Sequence, residues 1–166
     1  AEMCNYSPDE CLLMKFAGDL HDIGKLTIPE SILEKPASLT TEEMNTMKSH
    51  TYYTNRLLIG VPAFDLIRDW GAMHHEKLNG TGYPFRLDGD QIPLGARIVA
   101  VADIFTAIME DRPYRGGMDE KAAWSVLDNM VKAGEIDANV VRQLRENYAA
   151  VNEKRLTAQA QAAAEY

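Results

Sequence analysis

Apolar residues recur at helical spacing through most of the chain, and no stretch shows the two-residue alternation of a half-buried strand. Ser7-Pro8-Asp9-Glu10 reads as a capping box with proline in the first turn. Leu13, Phe16, Ala17 and Leu20 follow it, with Gly24 as a stop. Thr40 and Glu43 form a second box, after which Met44, Met47, Thr54, Leu57 and Leu58 mark an inward face closed by Gly60. Pro62 opens a third helix with Leu66, Ile67, Trp70, Met73 and His74 on its apolar side. Over 77–95 the periodicity stops. Asn79, Gly80, Gly82, Pro84, Asp88, Gly89, Pro93 and Gly95 predict a long loop, of a length that in a compact domain is usually functional.

Beyond the loop, 96–110 is apolar on nearly every side and predicts a central, buried helix. A fifth helix is predicted over 119–133, with Val126, Leu127, Met130 and Val131 inward and Gly134 as a stop. A sixth starts near Asp137 and carries Val140, Val141, Leu144, Tyr148 and Val151. The pattern predicts an all-α bundle over 1–150 and an alanine-rich helical tail over 151–166.

Composition narrows the function classes. The chain has 166 residues, of which 46% are hydrophobic and 25% charged, an ordinary globular balance. The longest apolar runs, such as 98–102, fall far short of the roughly 18 residues a bilayer span needs. Seventeen basic against 25 acidic residues give a net charge of −8, so there is no broad electrostatic footprint for a nucleic-acid polymer. Any phosphate binding then requires a local device. Cys4 and Cys11 form no CxxC pair and read as reduced thiols, in keeping with a cytoplasmic protein. The opening Ala1-Glu2-Met3 has no signal-peptide pattern and reads as a cut piece of a longer polypeptide or a processed chain.

The candidate chemistry lies in four histidines and two acids. His21 ends the first predicted helix and is followed at once by Asp22. His50 shares a face with Met47, Thr54 and Leu57. His74 and His75 stand where the third helix meets the loop, and Asp103 lies within RIVAVADIFTAIM, the most apolar helix. Singly, an inward histidine is more often a hydrogen-bonded core residue than a ligand. An isolated buried carboxylate, however, costs several kcal/mol or takes up a proton. One metal cluster accounts for all six residues, because imidazole and carboxylate together suit divalent transition metals. Adjacent helical side chains diverge by about 100°, so His74 and His75 can ligate together only at a helix end or turn.

The segments LHDIGKLTIPESILEKPASLT, HHEKLNGTGYP and QIPLGARIVAVADIFTAIMEDRPYR, with His50 between the first two, resemble the HD-GYP domain of the HD phosphohydrolase superfamily. The match runs from about residue 7 to 141, and HDIGK, HHE, NGTGYP and DRPYR in that order are specific. The resemblance implies an all-helical HD fold that hydrolyses cyclic di-GMP, a bacterial second messenger, to linear pGpG or GMP. It implies His21, Asp22, His50, His74, His75 and Asp103 as metal ligands, with Asp22 bridging two divalent ions. His50, His74 and His75 would complete one ion, and Asp103 with His21 the other. Iron or manganese is favoured over nickel, cobalt or zinc. Asp22 and Lys25 would be catalytic, with Lys25 on the scissile phosphate. Arg112 and Arg115 would hold the nucleotide's phosphates, and Gly82, Tyr83 and Pro84 would line the cleft and dock partners such as a diguanylate cyclase domain. A sensory or receiver domain would precede this one. Two dications against two carboxylates would make the site locally positive inside an acidic chain, and the three cations suit phosphate oxygens.

Some positions depart from the family's pattern. No histidine precedes His21, where the family carries a further one upstream; against the family's pattern the domain over 1–150 is N-terminally incomplete, and this counts against a third ion. Thr106 stands where a second Asp is common, Leu78-Asn79 replaces Trp-Asp, and Ala37 replaces Gly. These departures leave open an alternative: a catalytically weak module that binds a cyclic dinucleotide or docks a partner. A third possibility keeps the enzyme and changes the nucleotide.

Overall fold

The computed structural model describes residues 1–111 and 116–165. Among these the chain is helical, and its one β feature is an isolated bridge between Asn79 and Asp88. Both predicted capping boxes form. Ser7 starts α1 (Pro8–Leu20) by accepting from the Glu10 N–H while its own N–H donates to the Glu10 carboxylate. One turn of helix, α2 (Glu30–Leu33), precedes α3 (Thr41–Leu58), which Thr40 and Glu43 cap in the same reciprocal way. α4 (Asp65–Ala72) and α5 (Leu94–Met109) flank the long loop. Asp119 caps α6 (Glu120–Lys132), and Asp137 caps α7 (Ala138–Glu146) through two backbone N–H groups. α8 (Tyr148–Glu165) ends the chain.

The structure corrects several expectations. Gly24 does not stop α1, which ends at Leu20; the backbone then tightens into a 3-10 turn, Ile23–Thr27. Pro62 lies before α4 rather than opening it. The inward face of α3 is His50, Thr51, Thr54 and Leu58, whereas Met44 and Leu57 are exposed. α3 packs against the 3-10 turn and α4, and these cover only one stripe of it. Leu66 on α4 is likewise exposed, while Ile67 and Trp70 are buried. The apolar run to Val151 is broken at Asn147, whose side-chain amide donates to the Gln143 carbonyl. An Asn that bonds its own helix's backbone in this way competes with helix continuation.

α5 is the central element, as its uniformly apolar sequence predicts. It touches α1, α4, α6 and α7, and it buries Val99, Val101 and Phe105. Phe105, Trp124 and Tyr148 form an aromatic triad with centroids 5.5–6.4 Å apart, joining α5 and α6 to the start of α8. No helix among the described residues is long and apolar enough to cross a membrane.

Candidate metal centre

Four separate segments bring the predicted ligands together. His21 and Asp22 lie at the junction of α1 and the 3-10 turn, His50 in the middle of α3, His74 and His75 in the turn after α4, and Asp103 on α5. The turn is what lets the two adjacent histidines face the same space: their ring centroids are 4.0 Å apart.

The donor atoms fall into two overlapping groups. Those of His50, His74 and His75 lie within 4.8 Å of one another, as do those of His21, Asp22 and His74. Asp22 spans the two groups. Its Oδ2 is 3.3 Å from His21 Nε2, and its Oδ1 is 3.2 Å from His50 Nε2. Asp103 Oδ1 stands 3.8 Å from His21 Nε2, on the more open side of the cluster. Lys25 Nζ contacts Asp22 Oδ2 at 2.5 Å.

Backbone carbonyls set the orientation of three rings. The Nδ1 atoms of His21, His50 and His74 meet the carbonyls of Gly18, Met47 and Gly71, each three residues earlier. A carbonyl can only accept, so Nδ1 carries the proton and, in the neutral ring, Nε2 is left as a lone pair. Asp22 Oδ1, His50 Nε2 and His74 Nε2 are all buried with no hydrogen-bond partner. The short approach of His50 Nε2 to Asp22 Oδ1 is not aligned as a hydrogen bond, and it sets two acceptors face to face. Each unsatisfied buried polar group costs about 1–3 kcal/mol. A divalent cation relieves all three at once, and the imidazole and carboxylate donors are those such ions prefer. The residues present therefore fit a metal centre.

The electrostatics agree. Burial alone would raise the Asp22 carboxyl, but contacts with His21 and Lys25 hold it well below the usual carboxylate range. Burial, aided by the nearby His75, pushes His74 down to about 2, and burial pushes His75 down to about 4. Both rings are thus neutral and available as ligands. For His21 the balance is reversed. Burial lowers it, but its hydrogen bonds to Asp22 and Gly18 and the charges of Asp22 and Asp103 carry it above its ordinary value.

A second layer holds the 3-10 turn to α3. Buried Thr54 accepts from the Gly24 N–H and donates to the His21 carbonyl. A Cβ on Gly24 would stand 1.9 Å from the His50 carbonyl oxygen, so only glycine lets the two backbones approach this closely. The long loop lies alongside. Tyr83 donates its N–H to the His75 carbonyl, and its ring sits 4.9 Å from the His75 ring. Gly82 and Pro84 flank it, and burial, with the charges of Asp103 and Asp22, raises the Tyr83 phenol. Arg112 and Arg115 lie outside the described residues. A cavity of about 550 Å³ between α5, α7 and α8 is lined mainly by apolar side chains, with Glu110, Lys154 and Arg155 among its charged ones, and none of the histidines lines it, so donor chemistry rather than cavity size locates the site.

The HD domain family matches residues 1–140, from the first turn to the start of α7. The chain belongs to this HD domain family. A cyclic di-GMP phosphodiesterase response regulator of Xanthomonas campestris pv. campestris is 44% identical over 131 residues, 76% of this chain and 34% of that protein. A 3'3'-cGAMP-specific phosphodiesterase of Vibrio cholerae is 36% identical over 147 residues, 84% of this chain and 34% of its own length. A cyclic di-GMP phosphodiesterase of Thermotoga maritima is 40% identical over 119 residues, 70% of this chain and 32% of its own. The HD domain described here therefore spans about a third of the length of these relatives.

Three residues at the site escaped sequence reasoning. Thr54 reads only as a small inward residue of α3. Glu76 reads as the third letter of HHE, with nothing in the spacing to show that it caps backbone groups in the loop. Lys48, whose Nζ lies 5.4 Å from the centre of the Tyr83 ring, gives no local signal at all.

Proposed function

We propose that this HD domain is a metal-dependent phosphodiesterase that hydrolyses cyclic di-GMP to pGpG, GMP or both. The observation that carries the reading is the set of three buried acceptors, Asp22 Oδ1, His50 Nε2 and His74 Nε2, facing one another without hydrogen-bond partners. The relatives' names supply the substrate class.

His50, His74 and His75 would hold one divalent ion, and His21 with Asp103 a second, with Asp22 common to both; iron or manganese is favoured. When bound, such a pair supplies Lewis acidity toward a phosphate and its attacking water. The protein's own part is positioning and charge. The carbonyls of Met47 and Gly71 fix the His50 and His74 rings. Lys25 helps to hold Asp22 ionised and presents a point charge beside it, suited to a non-bridging phosphate oxygen. Tyr83 forms the cleft wall next to His75, with Gly82 and Pro84 in the same turn. Arg112 and Arg115, by their place in DRPYR, would hold the phosphates of the nucleotide.

We assign residues 1–150 to this domain and 151–166 to a helical tail. The loop around Tyr83 is a candidate dock for a diguanylate cyclase domain, and a sensory or receiver domain would lie upstream in the longer protein. Free thiols at Cys4 and Cys11 support a reducing, cytoplasmic setting.

Protein loaded anaerobically with Mn²⁺ or Fe²⁺ is expected to hydrolyse cyclic di-GMP, and Asp22→Ala or His74→Ala to abolish turnover. No turnover by the metal-replete protein would reject the proposal. A second reading, favoured by the 3'3'-cGAMP-specific relative, changes one base of the substrate. Direct competition between the two cyclic dinucleotides decides it, the preferred substrate being the one with the higher kcat/KM.

A further inference from the structure

Glu76 follows the two metal-site histidines directly and is 5% exposed. Its carboxylate accepts three successive backbone N–H groups from the far side of the loop. Phe85 and Arg86 donate to Oε1 at 2.6 and 3.2 Å, and Leu87 donates to Oε2 at 3.0 Å. A run of consecutive amides aimed inward makes an anion-binding concavity. Here the anion is a side chain of the same chain. Arg86 adopts a left-handed backbone, φ +56°, a conformation that costs a non-glycine residue and persists only where its surroundings impose it. The Glu76 carboxylate supplies that constraint.

The near side of the loop closes on the same residue. A Cβ on Gly82 would stand 2.5 Å from Glu76 Cα and 2.3 Å from the Lys77 nitrogen, so the loop backbone lies directly on the His75-Glu76-Lys77 segment. Between these two anchors is Tyr83, whose N–H meets the His75 carbonyl and whose ring packs on His75.

We propose that Glu76 is a positioning residue. By capping the amides of residues 85–87 it locks the loop onto the His74–His75 turn, so that Tyr83 is presented as a fixed wall beside the metal-site histidines. The substrate that this wall meets is taken from the function proposed above, and the clamp acts on its binding rather than on the bond-breaking step. Glu76→Gln keeps the size of the side chain but puts an amide N–H₂ where an acceptor is needed, leaving at least one buried N–H opposed by a donor. Glu76→Asp keeps the charge but is one methylene short.

The experiment compares the Mn²⁺-loaded chain with these two variants by hydrogen exchange and by steady-state kinetics on cyclic di-GMP. In Glu76→Gln the amides of 85–87 are expected to exchange about tenfold faster or more while those of α3 and α5 are unchanged. KM is expected to rise more than kcat falls, with bound metal unaltered, and Glu76→Asp to fall between wild type and Gln in both readouts. Unchanged protection at 85–87, protection lost evenly through all helices, or a fall in kcat with KM unchanged would each overturn the proposal. If Glu76→Gln does not fold, the same comparison is made on Glu76→Asp. If the wild-type chain does not turn over cyclic di-GMP, the proposed function fails, and the exchange data alone decide whether Glu76 holds the loop.

Discussion

Thr54 donates its hydroxyl to the carbonyl of His21 at 2.9 Å, across 33 residues of sequence. The same oxygen accepts from the Gly24 N–H, so a single side chain ties both ends of the HD turn to α3. Thr54→Val keeps the shape and leaves both backbone groups buried and unpaired. A loss of about 1–3 kcal/mol is expected in denaturant unfolding. Metal affinity is expected to fall about 10- to 100-fold, as for a residue that orients a ligand without being one. Titrating metal into the variant measures this, and unchanged affinity would show that the tie does not position His21.

Acidification is expected to destabilise the metal-free protein. His74 and His75 have folded values depressed to about 2 and about 4, against an ordinary 6.5, so the unfolded chain takes up their protons first. Their contribution is complete above about pH 6.5. It is lost progressively as pH falls through about 4 for His75 and on towards 2 for His74, by at most about 1.4 kcal/mol per pH unit for each proton. His21 is shifted the other way, so its contribution is full below its ordinary value and is lost as pH rises through the raised one. It adds no slope on the acid side. Asp22 loses its contribution only below its ordinary 3.8. Urea unfolding between about pH 5.5 and about pH 4, below the range in which His21 changes charge, should show this decline, and a flat profile would contradict it.

Lys25 is 43% exposed at the mouth of the cluster and contacts it through Asp22. Lys25→Gln should therefore leave the amount of bound metal unchanged and lower kcat/KM, with little change in melting temperature, since exposed ion pairs contribute little. Loss of metal in this variant would show instead that Lys25 is needed to assemble the centre.

Phe105 is buried at 2% exposure among Trp124 and Tyr148. Phe105→Ala should cost about 3–5 kcal/mol. Ile98, on the preceding turns of the same helix, is closer to the edge of the core at 9% exposure. Thermal melts of Phe105→Ala and Ile98→Val rank the two, and a smaller loss for the Phe105 change would place the centre of the core elsewhere.

The elements that were legible in the sequence are those set by neighbouring residues. Thr40 with Glu43 announced α3, Asp119 and Asp137 announced the starts of α6 and α7, and the uniformly apolar run marked α5 as central. The histidines and acids were legible as a set because no ordinary core role explains all of them together. What was not legible depends on partners far away in the chain. Gly24 looked like a helix stop, and only the α3 backbone beside it shows that it is a contact point. Met44 and Leu57 fit the helical period and are nevertheless exposed, because the covering elements are too narrow to reach them. Glu76 carries no local signal because the amides it caps lie nine to eleven residues further on.

The most direct test of the central claim is elemental analysis of anaerobically purified wild-type and Asp22→Asn protein. Two transition-metal ions per chain in the wild type, with both reduced when the shared Asp22 carboxylate is removed, is the predicted result. A folded wild-type chain that binds no transition metal, or an Asp22→Asn variant that retains its full complement, would contradict it.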